Sequence, residues 1–278
     1  MSSFDRDPLG PAPRRHRAPR HAGIPDRPVA REVVHTLVVM VVTVIVTATA
    51  IAVVNPQLVP DPVAGALGLR PAPLGEAPSV SGTGSYTFLQ RQRVDPDAPV
   101  AYDPCREIHV EVNPDQGPLD AVEMVQEALT EVGEATGLRL VYDGTTDDRP
   151  HWSGPTTPFG LGREDPVLVS FATSEEVSEL KGKIAGIGGS ASVTDERGHS
   201  RYVTGQVTLD ADSLDSLLRR QGGEERARAI LLHELGHLVG LGHVEDEGEL
   251  MHARNTGRTD FGPGDRIGLS RLGQGRCF

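Results

Sequence analysis

Apolar residues fall into three patterns along this chain, and each predicts a different kind of element. From residue 33 to residue 54 they run almost without a break: these 22 positions carry no formal charge, and only His35 and four threonines interrupt them. A helix of that length crosses a hydrocarbon layer of about 30 Å. The run therefore predicts one transmembrane helix over residues 33–54. From Glu107 the period becomes two, and Glu107-Ile108-His109-Val110-Glu111-Val112 reads as a strand ended by Pro114 and Gly117. Period 3.6 follows at once. Residues 118–136 place Leu119, Val122, Val125, Ala128, Leu129 and Val132 along one side before Gly137, which predicts an amphipathic helix.

Further strands are predicted at residues 138–142, 166–172, 188–193 and 202–209. A second long helix opens after Gly222-Gly223 and covers residues 224–239, and a short one lies near residues 264–272. Strands interleaved with helices make an α+β or α/β domain rather than a sandwich or a bundle. Residues 1–32, rich in Pro, Arg and His, read as a disordered tail. Residues 55–100 hold eight Pro and five Gly and read as a stalk. The globular domain is then residues 101–278, within the usual single-domain range.

Charge orients this arrangement. Residues 1–54 carry seven Arg against four acids, whereas residues 101–278 carry 17 Lys and Arg against 31 Asp and Glu, in a chain of net charge -12. Basic flanks stay cytoplasmic on insertion while a long following domain is translocated. The expectation is a single-pass protein with a cytoplasmic N-terminus and its domain outside. The alternative is secretion after signal cleavage near Ala50, where Ala48-Thr49-Ala50 offers small residues, but 32 residues ahead of the run and a run of 22 exceed the usual signal proportions. The acidic balance argues against nucleic acid as a partner. The 32 Gly and 22 Pro show no Gly-X-Y period and the chain shows no longer repeat, so collagen and solenoids are excluded.

Chemistry concentrates in His233-Glu234-Leu235-Gly236-His237-Leu238-Val239-Gly240-Leu241-Gly242-His243. Residues four apart share a helix face, so His233 and His237 can converge on one ion with Glu234 beside them. Gly240, free to adopt positive φ, can break the helix and return His243 to the same ion. Three protein ligands leave a fourth position open, which a catalytic zinc requires. Leu231, Leu235 and Leu238 lie on the opposite side, leaving the helix one stripe to bury.

This stretch resembles the metzincin clan of zinc endopeptidases, with its H-E-x-x-H-x-x-G-x-x-H motif and downstream Met-turn. Met251, in Gly248-Glu249-Leu250-Met251, lies at a spacing similar to that of matrixins. Gly186-Ile187-Gly188-Gly189 resembles the segment before a matrixin substrate-binding edge strand, and Phe261-Gly262-Pro263-Gly264-Asp265 the start of the C-terminal helix. The resemblance implies a zincin fold over residues 101–278: a mixed, mostly parallel sheet, two long helices and a small C-terminal subdomain. It implies one Zn2+ on His233, His237 and His243, with Glu234 as general base. A peptide or protein substrate would lie along the strand near residues 188–193, with an S1′ pocket walled by residues 250–255. Val244 stands where matrixins have Ser, no Tyr occurs after Tyr202, and no Cys precedes Cys105 to act as a thiol switch.

Other residues carry less. His109, His151, His199 and His252 read as surface or packed histidines. Glu245, Asp246, Glu247 and Glu249 read as a solvated loop, with a subsite for basic side chains or a weak Ca2+ contact as alternatives. Cys105 and Cys277 bracket the domain and can pair outside the cytoplasm. The rival functions are a non-catalytic module stabilised by zinc and a zinc hydrolase of a non-peptide bond. The sequence leaves the oligomeric state open.

Overall fold

The computed structural model describes residues 29–54, 72–152 and 165–278, and the predicted tail before residue 29 and the stalk at residues 55–71 lie outside them. The chain forms two units, one ending at Leu69 and one from Arg70 to Phe278. In the first, α1 (Val29–Val54) is a 26-residue helix. Its large apolar side chains between residues 33 and 46 are half exposed or more, from 51% at Val33 to 64% at Val44. Thr43 and Thr49 donate their hydroxyls to Val39 O and Ile45 O at 2.8 Å. Among the described residues no helix is long and apolar enough to cross a membrane, so the fold does not establish the predicted span.

The second unit is a mixed α/β domain. Its elements are β1 (Thr87–Phe88), β2 (Ala101–Tyr102), β3 (Glu107–Asn113), α2 (Ala121–Thr136), β4 (Arg139–Thr145), β5 (Val167–Ala172), β6 (Gly186–Thr194), β7 (Ser200–Asp210), α3 (Ala211–Leu218), α4 (Gly223–Val239), β8 (Leu241–Gly242) and α5 (Pro263–Gly273). The main sheet has the order β2-β7-β5-β3-β4, parallel throughout, with β6 antiparallel on β7. Val110, Val112, Val167, Val169, Phe171 and Leu209 are fully buried in it. The leucines of α4 predicted to face the core, Leu231, Leu235 and Leu238, are at 0% exposure, and α4 packs on β6, β7 and α2. Parallel strands covered by helices hide both their backbone and their valines, which is why they read as near-continuous apolar runs.

Three expectations change. Helix α2 starts at Ala121 rather than near residue 118, which leaves Leu119 outside it and wholly exposed. Helix α3 was not anticipated, although Asp210 caps it by accepting from Ser213 N at 2.7 Å. The third concerns the boundary at residue 101. Residues 72–100 are packed on the domain: Leu74 N donates to Pro104 O at 2.8 Å, Ser270 Oγ to Pro78 O at 2.7 Å, and Gln92 Nε2 to Ser200 O at 2.7 Å. Prolines remove donors but leave carbonyls, so a proline-rich segment can still be held along a surface by bonds of this kind. The segment is a strap, and its composition reported only the lack of regular structure.

Cys105 and Cys277 form a disulfide with Cα atoms 5.4 Å apart, joining residues 172 apart in sequence.

Candidate metal centre

Helix α4 delivers two histidines to one spot because they lie four residues apart on the face away from its buried leucines. Glu224 and Glu225 occupy its first turn, where the helix dipole favours acids. Its last turn ends at Gly240, whose φ of 123° turns the chain, while Gly240 N still donates to Gly236 O and His237 O at 3.1 Å. A side chain there would be strained and would crowd Leu272 and Tyr202. Strand β8 follows, and His243 returns to the helix.

The three side chains meet. His243 Nε2 lies 3.1 Å from His233 Nε2 and 3.0 Å from His237 Nε2. The opposite ring nitrogens are occupied: His233 Nδ1 lies 2.8 Å from Leu250 O, and His237 Nδ1 lies 2.8 Å from Leu241 O. A carbonyl can only accept, so both Nδ1 atoms carry the proton and both Nε2 atoms present lone pairs. Lone pairs converging at this separation repel unless a cation takes them. Zinc–nitrogen bonds of about 2.0–2.1 Å in a tetrahedron put neighbouring nitrogens roughly 3.3 Å apart, close to what is observed. The donor set fits a divalent zinc ion, and the backbone carbonyls behind it hold the rings as outer-shell partners do.

Burial keeps these ligands unprotonated. It pushes His233 down to about 4 and His237 down to about 4, and it lowers His243, with help from the charge of His252. Burial also pushes Glu234 up to about 8. His243 is exposed whereas His237 and Glu234 are buried. The ligand set is therefore open on one side.

That side is a cleft of about 560 Å³, bounded by the start of β6, by α4 and by the loop after Met251. Strand β6 lies close along α4, with Ser190 Oγ donating to Leu238 O at 2.7 Å. Its other neighbour is β7, so among the described residues its outer edge is unpaired in the sheet order. Met251 is 1% exposed and packs beneath α4, its sulfur 2.6 Å from where a Cβ at Gly236 would stand. A larger residue at Gly236 would push the Met251 side chain aside.

The sequence reading missed what holds that turn. Asp265, at 0% exposure, accepts from Leu250 N at 2.6 Å, from Gly262 N at 2.9 Å and from Met251 N at 3.4 Å. Leu250 O in turn holds His233. Glu249 is 2% exposed and accepts from Gly264 N at 2.9 Å and Asp265 N at 3.0 Å at the start of α5. The solvated-loop reading is therefore wrong for Glu249, while Glu245, Asp246 and Glu247 are exposed. Pro263 followed by Asp265 was the available signal, since Pro at N1 and an acid at N3 mark a helix start. His252, read as isolated, is 5% exposed and lines the cleft. His109 pairs with Asp143 at 2.9 Å and His199 lies 3.8 Å from Asp195. Among the described residues the only other gathering of potential ligands is Asp103 with the disulfide cysteines, so no Ca2+ site emerges there.

Such a centre, open to a cleft and flanked by a buried carboxylate, defines a class, the zinc metallopeptidases. Residues 164–266 match the model of the matrixin peptidase family. The domain is a matrixin-like zinc metallopeptidase. Among solved structures, an archaemetzincin from Methanopyrus kandleri is similar at 16% identity and a TM-score of 0.38, over 60% of this chain and 94% of that one. A GM1-bound form of the ECX AB5 holotoxin is similar at 16% identity and 0.35, over 60% and 80%. Likenesses of that size add nothing about the site. No protein of curated function matches in sequence.

Proposed function

We propose that this chain is a membrane-anchored, extracytoplasmic zinc endopeptidase in which Glu234 is the general base. The observation that carries the catalytic reading is the convergence of three Nε2 atoms, two with their Nδ1 protons fixed on backbone carbonyls, beside a buried carboxylate at an open cleft. His233, His237 and His243 hold the ion. Zinc so held supplies Lewis-acid polarisation of the scissile carbonyl and brings a water's pKa to about 7. Glu234 accepts the proton of the attacking water and passes it to the departing amine. The nearby cation favours its carboxylate form, against the burial that raises its pKa without metal. An extended peptide pairs with the outer edge of β6, whose backbone groups provide affinity independent of sequence.

A non-catalytic zinc module would close its site with a fourth protein ligand, whereas here His243 faces solvent and a cleft. Cleavage of casein or a quenched peptide by the full chain in detergent, abolished by a chelator and by Glu234→Ala, tests the reading. Retained activity in that variant would remove Glu234 as the base, and failure to cut any peptide with zinc bound would turn the reading to a non-peptide bond.

The anchor is residues 33–54, with residues 1–32 cytoplasmic. Half-exposed side chains along α1 and the basic flank before it support this placement. Secretion after cleavage at Ala50 is the alternative, and sequencing the N-terminus of the cell-associated protein separates the two.

A further inference from the structure

The rim of the cleft carries a charge opposite to that of its domain. Residues 101–278 hold 17 Lys and Arg against 31 Asp and Glu. Among the described residues lining the cleft, Lys183, Arg254 and Arg258 are cationic, and Glu179 is the only carboxylate besides Glu234. All three cations are exposed. Elsewhere on the domain arginines meet carboxylates, as Arg149 does with Glu176 at 3.0 Å and Arg219 with Asp215 at 2.5 Å. Among the described residues none of the three rim cations forms such an ion pair. The acidic run at Glu245, Asp246 and Glu247 does not line the cleft, which leaves the alternative of a subsite for basic side chains there without support.

Lys183 also lies to one side. Glu234 approaches β6 at its first residue, with Cγ 2.8 Å from where a Cβ at Gly186 would stand. Lys183 precedes that point, while β6 leads away from it to Thr194. A peptide added antiparallel to β6 runs the other way. Residues after its scissile bond pass Gly186 toward Lys183, and Arg254 and Arg258 line the same cleft. Ala229, Ile230 and Leu250 line the same cleft, and offer an acid no partner. A carboxylate finds one at the rim.

We propose that the cleft selects peptides with an acidic side chain within the first three residues after the scissile bond, recognised by Lys183, Arg254 and Arg258. This names the substrate class of the site proposed above and rests on that reading. Exposed ion pairs are individually weak, so two or three together give roughly five- to thirty-fold in kcat/KM, mostly through KM. The preference weakens with salt, because exposed charges are screened within about 8 Å at 0.15 M ionic strength.

The test uses the full chain in detergent and one quenched peptide that it cuts. Glu, Gln and Lys are placed in turn at each of the three positions after the bond, at low and high NaCl. The expected result is Glu over Gln by that factor at one or more positions, reduced by salt. Arg254→Glu with Arg258→Glu, or Lys183→Glu alone, should erase or invert the preference, read as the ratio of kcat/KM for the Glu and Gln peptides within each variant. Glu234-dependent cleavage with no preference, a preference for Lys, or a preference untouched by either variant overturns the proposal and leaves the peptidase reading intact. No cleavage of any peptide by the zinc-loaded protein overturns both.

Discussion

Thr87 pairs its backbone with Gly242, the residue immediately before His243. Phe88 pairs with Leu241 in the same short ladder, and Leu89 N donates to Gly240 O at 2.9 Å. These contacts attach the strap to the turn that carries the chain from the end of α4 to the third histidine. Leu241 O also holds His237 Nδ1. The strap therefore braces one ligand and the acceptor behind another, from residues more than 150 positions away.

A chain begun at residue 72 should accordingly keep its fold and bind one zinc. A chain begun at residue 101 should bind zinc more weakly, with less than one ion per molecule after gel filtration against a mild chelator and a Tm lowered by several degrees. Outer-shell supports of a metal site are worth roughly ten- to a hundredfold in affinity. Equal zinc content and activity in the two chains would reduce the strap to a surface feature. External proteolysis should follow the same line: a cut within residues 55–71 should release an active fragment, and one within residues 85–92 should inactivate it.

Why the strap escaped a reading of the sequence is physical. The motif on α4 was legible because helical periodicity alone brings His233 and His237 together and Gly240 is the one residue type that makes that turn cheaply. The strap has no such internal period. Its pairing partners lie in β8, and a two-residue ladder leaves no alternation to see. Proline and glycine content signalled irregular backbone correctly and was then read as absence of contact, which it does not imply. Asp265 and Glu249 were obscure for another reason: an acid looks solvated in sequence unless the amides it accepts from are known. The parallel core strands, by contrast, were readable from their apolar runs.

Asp265 links the C-terminal helix to the ligands, through Leu250 N on one side of the residue and Leu250 O with His233 on the other. Asp265→Asn keeps one acceptor oxygen and loses the other, leaving a buried amide short of a partner. Zinc affinity should fall roughly tenfold to a hundredfold, as for other outer-shell partners, with kcat of the fully loaded enzyme less affected. Unchanged affinity in competition with a chromophoric chelator would confine Asp265 to capping α5.

The ligands and the base should separate cleanly by mutation. His243→Ala should lose most of the bound zinc, because two imidazoles on one helix turn remain without the third direction of approach. Glu234→Ala should retain one zinc per chain and lose activity by at least a hundredfold, as removal of a general base does. Full metal content in the histidine variant would take His243 out of the ligand set, and activity within tenfold of wild type in the glutamate variant would place the base elsewhere.

The pH dependence of the metal-free domain follows from the same buried groups. Glu234 is raised from 4.5 to about 8 by burial. Its folded pKa lies above its unfolded one, so the stability it allows is fully present below about 4.5 and is lost progressively as pH rises to about 8. The loss is on the order of 1 kcal/mol per pH unit across that window, a few kcal/mol in all. His233 and His237 act in the opposite sense, since burial lowers both from 6.5 to about 4. Their contribution is present above about 6.5 and lost as pH falls toward 4. Chelated wild-type protein should thus weaken toward acid through the histidines and toward alkali through the carboxylate. Glu234→Gln should remove only the alkaline branch, so that its advantage over wild type in urea unfolding grows steadily between pH 5 and pH 8. With zinc bound, the cation favours the ionised carboxylate and that advantage should shrink. Parallel pH profiles for the two chelated proteins would show that Glu234 is ionised in the metal-free fold, and that the cleft solvates it more fully than its burial implies.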